Sequence, residues 1–218
     1  MADRTRQDER VAATREALLS AAERLFAERG VHAVANRQIS EAAGQGNNAA
    51  VSYHFGTKVD LVRAIVRRHA EQIEGIRARL LADIGDSVDL RDWVACAVRP
   101  TTEHLEALGS PSWYARFIAQ VTADPALYAI TAEEVSVTGP SMHALQEGMN
   151  RCLPDLPVEV YAERAAMTRH LITQMAVERE RALAGNAPTY SRATWREVAT
   201  GLIDAIVALW QAPATREP

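Results

Sequence analysis

The sequence is poor in glycine, proline and cysteine, with 11, 9 and 2 of these among its 218 residues. Cys96 and Cys152 are far apart and match no CxxC or zinc-ligand spacing, so we expect two buried thiols in a reducing cytoplasm and no metal site. The longest stretch without a charged residue, Ala42 to Thr57, is too short and too polar for a membrane span, which needs about 20 apolar residues. No apolar core follows the charged N-terminal residues, so no secretory signal is predicted.

Alanine, the best helix former, is in contrast abundant, with 40 copies. Hydrophobic residues make up 48% and charged residues 24%, the balance of an ordinary folded protein. The length allows one large domain or two small ones. Glycine and proline fall at intervals, and no stretch alternates between apolar and polar residues as a strand would. The sequence therefore predicts an all-α protein.

Charge is distributed unevenly along the chain. Residues 1–71 contain 11 Lys or Arg and 9 Asp or Glu, whereas residues 72–218 contain 13 and 19. An acidic protein with a mildly positive N-terminal third can carry a local site for a polyanion. A difference this small is also common on ordinary solvated surface.

The N-terminal third has the pattern of a helix-turn-helix unit. A first amphipathic helix is predicted from Thr14 to Arg29, and a short second one from Asn36 to Ala43. A tight break at Gly44-Gln45-Gly46 separates the second helix from a third, Asn47 to Phe55. A capping-box pattern, Thr57 to Asp60, then opens a long helix. Two short helices joined by a glycine turn and braced by a longer one are typical of a helix-turn-helix.

The third helix is suited to a DNA groove. Its first residues are small, which a helix entering a major groove about 12 Å wide requires, and asparagine can pair with a base edge. We predict that Asn47, Asn48 and Ser52 face bases, that Arg37, Tyr53 and Lys58 hold phosphates, and that Gln45 could do either. The full predicted DNA-contacting set is Arg37, Gln45, Asn47, Asn48, Ala49, Ser52, Tyr53, His54 and Lys58.

Several of these residues form a recognisable signature. The stretch Ala42-Ala43-Gly44, then Tyr53-His54-Phe55-Gly56-Thr57-Lys58, then Leu61, resembles the signature of the TetR/AcrR family of transcriptional regulators, and residues 21–30 resemble that family's first helix. The resemblance implies a DNA-binding domain at 11–71 and a ligand-binding and dimerisation domain at 72–218. It further implies a homodimer that binds double-stranded DNA at a palindromic operator, most often as a repressor, and that a small-molecule inducer releases. The terminal residues 1–10 and 212–218 are expected to be flexible tails.

The larger part of the chain, residues 72–218, matches no motif. Glycine and proline breaks divide it into about five helices, and Pro100 and Pro140 are each expected to kink or interrupt a helix. A concentration of aromatic residues suggests either a small-molecule site or ordinary core. Arg116 could instead pair with Asp124 at the surface. The predicted ligand-binding set is Trp93, His104, Trp113, Tyr114, Arg116, Phe117, Tyr128, Met142 and Met149.

The last two helices are predicted over Val158–Ala184 and Ser191–Gln211 and carry apolar stripes. In a monomer they would pack on the rest of the core. In the resembled family they pair with their mates across a two-fold axis as a four-helix bundle, so Leu202 and Ile206 are expected at a dimer interface.

Enzyme motifs and cofactor sites are not predicted. The GxGxxA pattern at 44–49 follows a helix rather than a strand, which removes its nucleotide-binding mechanism, and no HExxH is present. Two alternatives to the inducible regulator remain open. One is a constitutive helix-turn-helix DNA binder without an inducer, and the other is an all-helical enzyme with a vestigial DNA-binding domain.

Overall fold

The protein is all-α in a computed structural model that describes residues 2–153, 155–185 and 194–214. Those residues form ten helices and no strand. The helices are α1 (Ala2–Arg29), α2 (Asn36–Ala42), α3 (Ala50–Phe55), α4 (Lys58–Ile84), α5 (Leu90–Leu108), α6 (Tyr114–Ala123), α7 (Pro125–Thr138), α8 (Pro140–Cys152), α9 (Val158–Gly185) and α10 (Trp195–Gln211).

The chain divides into two compact units. Unit 1 comprises Met1–His69 together with Arg116–Val135, and unit 2 comprises Ala70–Ala115 together with Ser136–Pro218. The segment 116–135 therefore belongs with the N-terminal helices rather than with the rest of the C-terminal region. All three passages of the chain between the units fall inside helices, namely α4, α6 and α7.

The first helix is longer than predicted. It begins at Ala2 rather than Thr14, so the residues expected to form a flexible tail continue the helix. This stretch contains no glycine or proline, and each residue added to an existing helix costs little. Gly30 ends α1 as predicted, with a φ of 84° that suits glycine and a hydrogen bond from its N–H to the Phe26 carbonyl.

The core of unit 1 is built from the apolar stripes of α1 to α4. Its fully buried side chains include Leu18, Phe26, Ile39, Val51 and Ile65. Phe117 of α6 joins them, because its ring stacks on Phe26 with the centroids 6.3 Å apart.

The core of unit 2 is centred on α5 and α10, which pack along each other. Leu202 and Ile206 of α10 are 5% and 0% exposed within the single chain. The expectation that these two residues form a dimer interface is therefore wrong. The apolar stripe of α10 is satisfied by its own chain, as for any amphipathic helix that covers a core.

The two prolines that were expected to kink or interrupt a helix lie at different positions in their helices. Pro140 is the first residue of α8, where a missing N–H costs nothing, so it separates α7 from α8. Pro100 lies inside α5, which continues through it to Leu108. Thr194 caps α10 in a reciprocal capping box with Glu197. The expected start of this helix at Ser191 lies outside the described residues.

Candidate functional sites

The third helix presents one edge to solvent and anchors the other. Ala50, Val51 and Phe55 are buried, whereas Ser52 and Tyr53 are exposed, with Tyr53 at 80%. This division follows from the helical spacing of the apolar residues in a helix of six residues. The polar edge can therefore meet a partner without disturbing the core.

The start of α3 differs from the prediction, because the helix begins at Ala50 rather than Asn47. Asn47 forms a local turn ahead of it, since its side-chain oxygen accepts the Ala49 N–H at 2.9 Å and its carbonyl accepts the Ala50 N–H at 3.0 Å. Asparagine favours such turns over helix interior. Asn47, Asn48 and Ala49 are all exposed immediately before the helix, at the end where its free N–H groups lie.

The other predicted DNA contacts around α2 and α3 are already engaged by neighbours. Arg37 is exposed and pairs with Glu41 one turn later at 2.7 Å. The Gln45 side-chain amide donates to the Ala43 carbonyl at 3.3 Å. His54 is half-buried, and its ring meets that of Tyr53 edge-on at 5.0 Å.

A contact that the sequence analysis missed fixes the end of α3. Arg15 of α1 donates to the His54 carbonyl at 3.1 Å, and its guanidinium lies 4.3 Å from the centre of the Phe55 ring. A cation at a helix C-terminus is stabilised by the exposed carbonyls there. No motif marks Arg15, because its partners lie about 40 residues further along the chain.

The junction of α3 and α4 holds its predicted capping box. The Thr57 side chain and N–H both donate to Asp60, at 2.6 and 3.1 Å, and the Asp60 N–H donates back to the Thr57 hydroxyl at 3.1 Å. These hydrogen bonds from Thr57 hold the pKa of Asp60 below its usual value. Lys58, the first residue of α4, donates to the Val31 carbonyl at 3.3 Å, and its ammonium has further N–H groups to donate.

The predicted ligand-binding residues are divided between the two units. In unit 2, Trp93 and Met149 are buried in the core cluster of α5, α8 and α10. Trp93 packs so closely on α8 that a Cβ at Gly148 would lie 2.1 Å from its ring. His104 and Tyr114 are both buried and meet edge-on at 5.6 Å. Trp113 is half-buried ahead of α6, and Met142 of α8 is 39% exposed.

The remaining three, Arg116, Phe117 and Tyr128, belong to unit 1. Phe117 is a core residue there, and Tyr128 is partly exposed. The suggested partner of Arg116, Asp124, is held instead by His32 at 2.6 Å. That hydrogen bond is the main cause that lowers the pKa of Asp124. The aromatic concentration in the sequence therefore does not correspond to one cluster within either unit.

A buried polar cluster in unit 2 escaped the sequence analysis altogether. Arg77 and Glu74 of α4 meet Ser141 of α8, with Arg77 Nη1 3.0 Å from Glu74 Oε2 and the Ser141 hydroxyl 2.5 Å from the same oxygen. The sequence pattern that could have indicated this cluster is the pair of opposite charges, Glu74 and Arg77, three residues apart on a helix that also carries an apolar stripe. Within the described residues, no group of three or more His, Cys, Asp or Glu side chains could hold a metal ion.

Family comparisons agree with this arrangement of helices. Residues 18–65 match the family described as bacterial regulatory proteins, tetR family, and residues 95–208 match the tetracyclin repressor-like C-terminal domain. The chain belongs to the TetR family of bacterial transcriptional regulators. The N-terminal match covers the C-terminal part of α1, all of α2 and α3, and the beginning of α4.

Solved structures of TetR regulators share the fold. The chain is similar to the TetR-family regulator PfmR from Thermus thermophilus, at 14% identity over 91% of this chain and 99% of that one, with a TM-score of 0.56. It is also similar to a protein described as a TetR-family transcriptional regulator from Mesorhizobium loti, at 14% identity over 92% and 96%, with a TM-score of 0.53. No curated protein matches the sequence.

Membership of the TetR family confirms the fold predicted from sequence, a helix-turn-helix domain followed by a C-terminal helical domain. The TetR family is a family of transcriptional regulators and not of enzymes. None of the described helices is both long enough and apolar enough to cross a membrane.

Proposed function

We propose that this TetR regulator is a cytoplasmic homodimeric repressor that binds a palindromic operator through α3 and is released by a small-molecule inducer bound in unit 2. The observation that carries the proposal is the exposed polar edge of α3 on an anchored helix. The DNA, the second protomer and the inducer each use a different surface.

Support for DNA binding comes from how α3 is held. Its buried side is fixed by Val51 and Phe55, and its C-terminal end by Arg15. Ser52, our predicted base contact, and Tyr53, our predicted phosphate contact, are thereby presented without freedom to rotate about the helix axis. This suits base readout by Ser52, because base contacts need fixed donor positions. Asn47 and Asn48 at the N-terminal end stay our predicted base contacts, since recognition helices read bases with their N-terminal residues.

Support for a homodimer comes from an apolar stripe on α9. Met167, Leu171 and Met175 repeat every four residues and are 47%, 38% and 37% exposed. Ala205 and Ala208 are exposed on α10, which packs beside α9. Contiguous exposed apolar side chains typically mark an interaction surface. We therefore move the proposed dimer face from Leu202 and Ile206 to these residues of α9 and α10.

Support for a ligand-driven switch comes from the continuity of α4. This helix runs without a break from the Thr57–Asp60 capping box in unit 1 into unit 2, which begins at Ala70. A ligand that binds unit 2 can influence α3 only if it prefers one arrangement of α4 over another. DNA must then weaken ligand binding by the factor with which ligand weakens DNA binding, typically a coupling of about 1–3 kcal/mol.

Enrichment of bound duplexes from a random-sequence pool tests the proposal. We expect an inverted repeat whose half-site centres lie about one helical turn, 34–36 Å, apart, because two α3 helices related by a two-fold axis must enter adjacent major grooves. The matched control is the double variant Ser52→Ala, Tyr53→Ala, which changes only exposed side chains and should fold normally while enriching no sequence. Failure of the unaltered protein to enrich any sequence would contradict DNA recognition, and enrichment of an asymmetric site would contradict the two-fold dimer.

A further inference from the structure

The buried Arg77 of unit 2 uses only one side of its guanidinium group for hydrogen bonds. Arg77 and Glu74 lie on successive turns of α4, and their side chains are 11% and 13% exposed. An arginine is always charged in proteins, so this is a cation held largely away from water. Burial is the main cause that lowers the pKa of Arg77 from its usual value, which is the mark of a desolvated charge.

Glu74, in contrast, accepts hydrogen bonds at both of its carboxylate oxygens. Its Oε1 accepts the Ser141 N–H at 2.9 Å, and its Oε2 accepts the Ser141 hydroxyl at 2.5 Å and Arg77 Nη1 at 3.0 Å. Ser141 is the second residue of α8, so the carboxylate also caps the N-terminus of that helix. Glu74 therefore has a structural role, because its hydrogen bonds link α4 to α8.

Arg77 keeps one edge of its guanidinium without an acceptor among the described residues. Within that part of the chain, its hydrogen bonds all run from Nη1, to Glu74 and to the Ser141 hydroxyl. Its Nε is buried and has no hydrogen-bond partner there. A buried donor left unsatisfied is costly, the more so on a charged group, and such an atom in a native protein calls for an acceptor such as a bound water, ion or ligand.

The same helix shows what this edge is suited to bind. Arg67, ten residues earlier and in unit 1, donates from Nε to Glu134 Oε2 at 2.8 Å and from Nη2 to Glu134 Oε1 at 3.0 Å. Two parallel N–H groups thus match the two oxygens of one carboxylate. Arg77 leaves the same pair of nitrogens, Nε and Nη2, without an acceptor in the described ranges of the chain.

We propose that the Nε and Nη2 edge of Arg77 binds the carboxylate of an organic acid, and that this acid is the effector of the regulator. The inference rests on the proposed function, in which unit 2 binds a small molecule, and it adds the chemical class of that molecule. A carboxylate is favoured over a phosphate because Glu74 lies 3.0 Å from Nη1, and a dianion beside it would suffer stronger repulsion. The buried aromatic pair His104 and Tyr114, with ring centroids 5.6 Å apart, belongs to the same unit.

The experiment uses the resolved Nε–H signal of Arg77 in a proton–nitrogen NMR spectrum of the full-length dimer, assigned by its loss in Arg77→Lys. The probes are acetate, benzoate and hexanoate, each against its own primary amide, with inorganic phosphate as a further anion. We expect at least one carboxylate to shift the signal saturably while its amide does not. Arg77→Lys keeps the charge but loses the planar edge, and isothermal titration calorimetry should show that it binds that carboxylate about tenfold to a hundredfold more weakly.

Arg79→Lys is the matched control, because Arg79 lies on the same helix but is exposed and paired with Glu103. It should bind the carboxylate as the unaltered protein does. The proposal would be overturned if no carboxylate shifts the Arg77 Nε–H signal, or if phosphate shifts it and carboxylates do not. It would also be overturned if a carboxylate binds the protein but leaves this signal unchanged. Each of these results leaves operator binding intact, whereas failure of the proposed function appears as loss of specific DNA binding with the Arg77 response preserved.

Discussion

Two arginines on α4 show how the two units of this TetR regulator differ. In unit 1, Arg67 and Arg63 together surround the carboxylate of Glu134, which is 2% exposed, and the hydrogen bonds from Arg67 lower its pKa. In unit 2, Arg77 has one edge closed by Glu74 and the other without an acceptor among the described residues. The ion pair of Arg67 with Glu134 stabilises the fold and leaves no position at which a ligand would add a hydrogen bond. Arg77, in contrast, has buried N–H groups without an acceptor, and a ligand that accepts from them would remove this free-energy cost.

The comparison extends to how each unit uses its surface. Unit 1 displays its recognition residues on the outside of a short anchored helix. Unit 2 buries Trp93, His104 and Tyr114, and it exposes an apolar stripe of Met167, Leu171 and Met175 on α9. This difference supports our proposal that exposed residues of unit 1 recognise DNA and that buried polar groups of unit 2 recognise an effector.

The largest expected effect is on the stability of unit 2, and it distinguishes core residues of α10 from residues of the proposed dimer interface. Leu202→Glu should destabilise the fold by about 4 kcal/mol or more, because a charge would be buried without a partner in a position that already costs about 2–5 kcal/mol to truncate. Thermal unfolding monitored by circular dichroism measures this. The matched variant Ala205→Glu, on the exposed side of the same helix, should remain folded and dissociate the dimer in sedimentation. Equal unfolding by both variants would contradict the division of α10 into a core side and an interface side.

The next effect tests the ion pair of Arg67 with Glu134 in unit 1. Glu134→Gln should reduce stability at neutral pH by about 1–2 kcal/mol, because Arg67 and Arg63 lose a charged acceptor. The pKa of Glu134 is lowered in the fold, so its contribution is present above the usual glutamate pKa of about 4.3 and is lost as the pH falls below it.

Urea unfolding of Glu134→Gln and the unaltered protein between pH 7 and pH 3 should therefore give curves that converge at acid pH. Glu133→Gln is the control, because Glu133 also pairs with Arg63 but is 60% exposed. It should change stability by a few tenths of a kcal/mol at most. A constant difference between Glu134→Gln and the unaltered protein at every pH would show that the carboxylate charge is not what stabilises this contact.

A smaller effect concerns the anchoring of α3. Arg15→Met should cost about 1 kcal/mol of stability, through loss of the hydrogen bond to the His54 carbonyl and of the contact with the Phe55 ring. It should also weaken operator binding, because α3 loses its C-terminal anchor although no predicted DNA contact is removed. Arg10→Met, an exposed position on the same helix, removes the same charge and serves as control in duplex titrations. Identical affinities for the two variants would leave Arg15 without a role in positioning α3.

The smallest effect concerns phosphate contacts. Lys58→Ala should weaken binding to every duplex and lower the salt slope by roughly one, because one released counterion is lost. Arg91→Ala in unit 2 makes the same change in net charge at an exposed arginine paired with Asp204, and it should leave the slope unchanged. A normal slope for Lys58→Ala would indicate that Lys58 serves only its hydrogen bond to the Val31 carbonyl.

The sequence predicted the features that depend on neighbours in the chain. Gly30 and Gly56 end helices, and Thr57 with Asp60 starts one, because a helix end is decided within one turn. The same locality explains why α1 was predicted too short, since charged residues before Thr14 lack an apolar stripe but also lack any helix breaker.

Features that depend on distant partners could not be predicted. The stripe of Leu202 and Ile206 is the same in sequence whether it faces its own chain or a second one, and only packing against α5 decides between them. Phe117 was grouped with Trp113 by proximity in sequence, yet it stacks on Phe26 in unit 1. The cluster of Arg77 with Ser141 joins residues 64 positions apart, and no short-range pattern encodes it.

The most direct test of the regulator is a titration of the unaltered protein against its enriched duplex and a scrambled duplex of equal length, followed by fluorescence anisotropy and sedimentation at physiological salt. The account predicts two protomers on each enriched duplex and a preference over the scrambled duplex of at least about 1,000-fold, in the range typical of specific DNA-binding proteins. Equal affinity for the two duplexes, or a single protomer on the enriched one, would contradict it.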